Sequence, residues 1–96
     1  MVNKVAWITG AGSGIGEASA IKLSDEGFIV VLSGRTKQAL DNVASKCKGE
    51  ASVKPLDVSN SEDVKDVFES IISEYGRVDV LVASAGLNAK NRNWHN

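Results

Sequence analysis

The stretch ITGAGSGIGEA, Ile8 to Ala18, carries glycine at positions 10, 12, 14 and 16, between an apolar run and a helix-like one. The chemistry that suits such a loop is the holding of a phosphate. Bare backbone N–H groups at a helix N-terminus bind anions well, and the helix dipole adds to the attraction. The backbone comes close to a ligand only where side chains are absent, which is what glycine provides. Gly10 allows the turn out of the strand. Gly14 lets a diphosphate sit near the helix start, and Gly16 lets that helix pack closely on the sheet. A turn with no ligand is the bland alternative.

The spacing separates kinds of nucleotide site. A P-loop needs lysine directly after its last glycine, and Glu17 follows Gly16 here. The strict G-x-G-x-x-G pattern started at Gly10 would need glycine where Ile15 stands. What remains is Thr9-Gly10-x-x-x-Gly14-x-Gly16.

The elements that must position this loop follow from patterning. Val5–Ile8 is a short apolar run ending at the glycines, a buried strand. EASAIKLSDEG reads as a helix with Ala18, Ile21 and Ile15 on one side, stopped by Gly27. Phe28–Ser33 is continuous and β-branched, as in a strand covered on both faces. Thr36 stands where it can cap a helix carrying Leu40, Val43, Ala44 and Cys47, with Gly49 ending it. ASVKPL is a weaker strand, and Pro55 favours a sheet edge. Ser59 and Glu62 have capping-box spacing. Val64, Val67, Phe68, Ile71, Ile72 and Tyr75 then form one stripe before Gly76. Val78–Ala83 is a fourth strand.

The order β-α-β-α-β-α-β predicts an α/β, Rossmann-like, doubly wound parallel sheet with strand order 3-2-1-4. The glycine loop then falls at the switch point between strands 1 and 4, where such sheets bind ligands.

Three stretches in this order resemble the short-chain dehydrogenase/reductase family over essentially the whole chain. Thr9–Gly16 is similar to its T-G-x-x-x-G-x-G cofactor motif. LDVS, with Asp57 and Val58, looks like its adenine-binding step. YGRVDVLVASAG looks like its fourth strand with the N-N-A-G element. Ala83 and Ser84 stand where the family usually has two asparagines that tie strand ends together; Ser84 keeps one or two hydrogen bonds and Ala83 none, while Ala85 and Gly86 are retained. The resemblance implies a cofactor site built from Gly10, Gly12, Ser13, Gly14, Ile15, Gly16, Arg35, Asp57, Val58, Ser84, Ala85 and Gly86.

Arg35 lies 19 positions past Gly16, and Gly34 occupies the place of the family's acidic ribose-binding residue. An absent carboxylate and a present guanidinium suit a 2′-phosphate, so NADP is expected over NAD. A solvated arginine is the plain alternative for Arg35, and a turn residue before Ser59 is the plain alternative for Asp57.

The family's catalytic tyrosine, the lysine four residues after it and the serine lie beyond the fourth strand. The one tyrosine, Tyr75, has Asp79 four residues on and sits on an apolar stripe; it reads as packing, and no catalytic residue is assigned. An edge at strand 4 would be open and apolar. Residues 1–96 therefore read as the N-terminal part, truncated, of an NAD(P)-binding Rossmann domain. Its parent is expected to be a homo-oligomeric NADP(H)-dependent oxidoreductase with a small carbonyl or alcohol substrate, and this chain alone to be inactive. The alternative is a non-catalytic module binding a dinucleotide or a protein partner.

Net charge of −1 gives no ground for a nucleic-acid or membrane partner. Cys47, the lone cysteine, cannot form an internal disulfide and reads as packing. The apolar stretch after Lys4 is too short for a signal peptide, so a cytoplasmic protein is expected. His95 has no neighbouring ligand for a metal; Lys90 and Arg92 read as solvated. Trp7 reads as core, and Trp94 as the beginning of a further helix.

Overall fold

The structure is a computed structural model that describes residues 3–12 and 14–84. Ser13, Ala85, Gly86, Lys90, Arg92, Trp94 and His95 lie outside the described residues. The elements are β1 (Val5–Thr9), α1 (Gly14–Asp25), β2 (Ile29–Ser33), α2 (Lys37–Lys46), β3 (Ala51–Val53), α3 (Ser61–Tyr75) and β4 (Val80–Ala83). All four strands are parallel, in the order β3-β2-β1-β4. This is the doubly wound arrangement that the alternating pattern predicts, and β3 stands at an edge.

Strand alternation divides the core into two layers. Ala6, Ile8, Val30 and Leu32 face α1 and α2, where Ala20, Leu40 and Val43 meet them. Val5, Trp7 and Val31 face α3, where Ile71 and the loop residue Leu56 meet them. Trp7 is core, as its sequence setting suggests. Its Nε1–H donates to Ser33 Oγ at 2.9 Å and its ring stacks on Phe68 at 6.2 Å between centroids.

Four local expectations change. In α1 the buried face is Gly16, Ala20 and Ser24, while Ile15 and Ala18 are exposed. The helix approaches the sheet too closely for large residues, so its inner stripe is made of small ones that hydrophobic periodicity does not mark. Asn60, not Ser59, caps α3: its side-chain oxygen accepts from the Glu62 and Asp63 N–H groups. Thr36 is the N-cap of α2, but its hydroxyl makes no capping bond. Strands β3 and β4 are shorter than the runs that mark them, and Pro55 falls past the end of β3.

Candidate functional site

The C-terminal ends of β1, β2 and β4 converge on the glycine turn. Gly10 leaves β1 with φ of 68°, a left-handed conformation that favours glycine. Gly16 has a different requirement: a Cβ there would lie 2.1 Å from the Gly10 carbonyl oxygen and 2.6 Å from Ser84 Oγ. No rotamer relieves a clash with backbone. The turn is held from both neighbouring strands. The Ala11 N–H donates to Ser33 O at 3.0 Å. Ser84 Oγ–H faces Thr9 O at 2.8 Å and Gly10 O at 3.3 Å. The hydrogen bonding foreseen for Ser84 is therefore present.

Helix α1 opens at Gly14, and the first N–H groups of a helix have no intrahelical acceptor, an arrangement that suits an anion. Beside the turn is an open cleft of about 300 Å³ lined by Gly10, Gly12, Gly34, Arg35, Thr36, Ala39 and Leu40. Gly12 lies close to α2: a Cβ on it would come within 3.1 Å of Ala39 Cβ. Two widely separated sequence signals, the glycine loop and Arg35, thus line one space. Gly34 has room for a side chain, with a Cβ meeting Leu40 Cδ2 only at 3.4 Å.

Asp57 follows Leu56, whose N–H donates to Gly34 O at 2.9 Å, so the loop after β3 runs beside the end of β2. Asp57 Oδ1 accepts from Ser59 Oγ at 2.7 Å and from the Ser59 N–H at 3.0 Å. These bonds hold its carboxyl below the usual carboxylate range, and the nearby Arg35 charge adds to the effect. Val58 is exposed. Ile15, at the start of α1, is 64% exposed.

Thr36, Ala39 and Leu40 line the cleft although sequence marks them only as cap and core. Glu17 of α1 also pairs with Lys46 of α2 at 2.7 Å, a contact between distant residues that spacing cannot reveal. Other reactive side chains are engaged elsewhere. Tyr75 packs on the α3-side core and its hydroxyl donates to Glu50 at 3.1 Å, while burial raises its phenol. Burial likewise raises the Cys47 thiol, which packs against the other core layer. Among the described residues no three of His, Cys, Asp or Glu gather as a metal cage. No helix among them is long and apolar enough to cross a membrane.

This site lies where doubly wound sheets bind nucleotides, and comparison with known proteins gives the class. The family model for short chain dehydrogenases matches residues 4–96, so the chain belongs to that family. An uncharacterized oxidoreductase of Staphylococcus aureus (strain USA300) is 45% identical over 87 residues, covering 90% of this chain and 38% of that protein. A metagenomic short-chain oxidoreductase solved in complex with NADP is 36% identical, with a TM-score of 0.81 over 84% of this chain and 38% of that one. A 3-ketoacyl-(acyl-carrier-protein) reductase from Brucella melitensis, complexed with NADH, is 39% identical, with a TM-score of 0.77 over 83% of this chain and 33% of that one. The chain spans little more than a third of the length of these relatives.

Proposed function

We propose that this chain is the cofactor-binding part of an NADP(H)-dependent dehydrogenase or reductase acting on a small carbonyl or alcohol compound. The observation that carries the reading is the shared cleft: Arg35 and the glycine turn line one space, and Gly34 puts no carboxylate there. The residues fit a dinucleotide phosphate. Gly16 lets α1 start directly against the Gly10 carbonyl, where any side chain would clash, and the opening amides of α1 are without intrahelical acceptors. Relatives of this fold have been solved with NADP and with NADH.

Bound, the nicotinamide group of such a cofactor accepts or supplies a hydride. The residues of this chain do other work. The amides at the start of α1 bind the diphosphate and orient it. Arg35 holds a ribose 2′-phosphate through charge-assisted hydrogen bonds. Asp57, kept ionised by Ser59, offers its carboxylate to the adenine amino group. Among the described residues none is assigned to proton transfer at the substrate; Tyr75 is engaged by Glu50 and the core.

The test is the dissociation constant of NADPH and of NADH for this chain and for Arg35→Ala. A charge-assisted bond contributes about 1.5–3 kcal/mol, so Arg35→Ala should weaken NADPH about 10- to 150-fold and leave NADH unchanged. Equal affinities in the unsubstituted chain, or tighter NADH, would overturn the preference.

A further inference from the structure

We infer that Lys46 is a positioning residue for the cofactor site: by pairing with Glu17 it draws that carboxylate across to α2 and neutralises it, so that it does not compete with a diphosphate for the start of α1. The inference rests on the cofactor reading above and adds a residue that acts through Glu17 rather than on the ligand.

Glu17 is the acidic residue in the first turn of α1. Gly14 has φ of 61°, outside the helical range, so Glu17 is the third residue with helical backbone. From that position a glutamate can reach back to the N–H that opens its helix, as in a capping box. The helix dipole favours a carboxylate there just as it favours a phosphate. Glu17 is therefore a built-in competitor for the place that the cofactor reading gives to the diphosphate, and its charge, left unpaired, would repel that ligand. In the structure the carboxylate reaches sideways instead. Glu17 Oε2 accepts from Lys46 Nζ at 2.7 Å, and Lys46 is the last residue of α2. The Glu17 side chain is 26% exposed and that of Lys46 57%, so the carboxylate sits between the helices and the ammonium covers it from outside. Among the described residues no second cation pairs with Glu17. Loss of Lys46 would leave a bare negative charge one turn from the glycines.

NADPH and NADH are titrated against the unsubstituted chain, Lys46→Met, Lys46→Arg, Glu17→Gln and the double variant Glu17→Gln/Lys46→Met, with Tm measured for each. Lys46→Met should weaken both nucleotides alike, because the diphosphate is common to both, by about threefold for one exposed charge. Added salt should shrink that deficit. Lys46→Arg, which keeps the charge, should bind as the unsubstituted chain does. The double variant separates the two roles the pair can have. With the carboxylate gone there is nothing to neutralise, so its affinities should return to those of the unsubstituted chain, and Glu17→Gln alone should bind no more weakly. A double variant as weak as Lys46→Met would show only a tie between the helices and overturn the inference. So would a Lys46→Met variant with lower Tm and unchanged affinities, or a deficit that salt does not touch. Should Lys46→Met not fold, Lys46→Gln takes its place with the same expected weakening. If the unsubstituted chain binds neither nucleotide, the cofactor reading itself fails, and that result is distinct from these.

Discussion

The two faces of the sheet are finished to different degrees. On the face of α1 and α2, Ala6, Ile8, Val30, Leu32, Leu40 and Val43 are buried, and the Glu17–Lys46 pair bridges the two helices. On the other face α3 is the one helix among the described residues. Ile71 is buried there, but Phe68 is 43% exposed, Ile72 38% and Leu81 58%. Register explains Leu81: it pairs with Trp7 and so points to the α3 side from an edge strand that no further strand covers among the described residues. The candidate cofactor cleft is lined by α2 and by the turn leading to α1, on the finished side. The face that would bind the dinucleotide buries its sheet-facing apolar residues, with Ile15 at the start of α1 left exposed beside the glycine turn, while the face of α3 leaves Phe68, Ile72 and Leu81 partly in water.

The contrast can be broken most forcefully at Trp7. Trp7→Ala removes a large buried ring and leaves Ser33 Oγ without its indole donor; a loss of about 3–5 kcal/mol is expected, a large share of the total for a domain of this size. Thermal unfolding measures it, and where folded chain persists its NADPH affinity should match the unsubstituted chain. Gly16→Ala attacks the other face. Its Cβ meets the Gly10 carbonyl, and overpacking of about 1–3 kcal/mol is expected, together with loss of measurable NADPH binding in a titration.

A smaller effect joins both faces at the start of the sheet. Asp79 Oδ2 accepts from the Val5 N–H and from Arg77 Nε, each at 2.8 Å. The Arg77 bond first, then that of Val5, lowers its carboxyl to about 2. The folded value lies below the unfolded one of about 3.9. Asp79 thus stabilises the fold fully above that pH, and its contribution is lost as pH falls towards about 2. The Tm gap between the unsubstituted chain and Asp79→Asn should be present at neutral pH and shrink between about pH 4 and 2. A gap constant across that range would show that the carboxylate charge contributes nothing. The smallest expected change is at Leu81. Leu81→Lys should move stability by less than about 0.5 kcal/mol yet reduce self-association in sedimentation, since a charge on an edge strand blocks edge pairing.

The fold was legible because its signals are local. Each strand is a short apolar run, each helix ends near a glycine, and the alternation leaves one economical topology. Order 3-2-1-4 follows, with Pro55 marking the edge side. The glycine turn was legible too, because its chemistry needs missing side chains and a missing side chain is visible in a sequence. Less visible was anything resting on close approach. The buried face of α1 is Gly16, Ala20 and Ser24, and small residues leave no hydrophobic period to read. Asn60 displaced Ser59 as the cap because two neighbouring residues can each serve, and backbone geometry decides between them. Sequence offered Thr36 only as a cap, whereas the cleft takes it as lining. The Glu17–Lys46 pair and the double grip of Ser84 on the turn join residues far apart in the chain, and no spacing rule reaches that far.

The central strand has a consequence for how the molecule comes together. Of the four described strands β1 comes first in the chain, yet one of its two hydrogen-bonded neighbours is β4, and the Val5 N–H awaits a carboxylate 74 residues further on. During synthesis β1 can pair with β2 early, but its other flank stays unpaired until β4 has emerged. Non-local parallel pairing of this kind slows folding, and an unsatisfied flank in a nascent chain is a target for chaperones and for aggregation alike. Among the four described strands, the one that anchors the glycine turn is thus begun first and secured by the one that follows all the others.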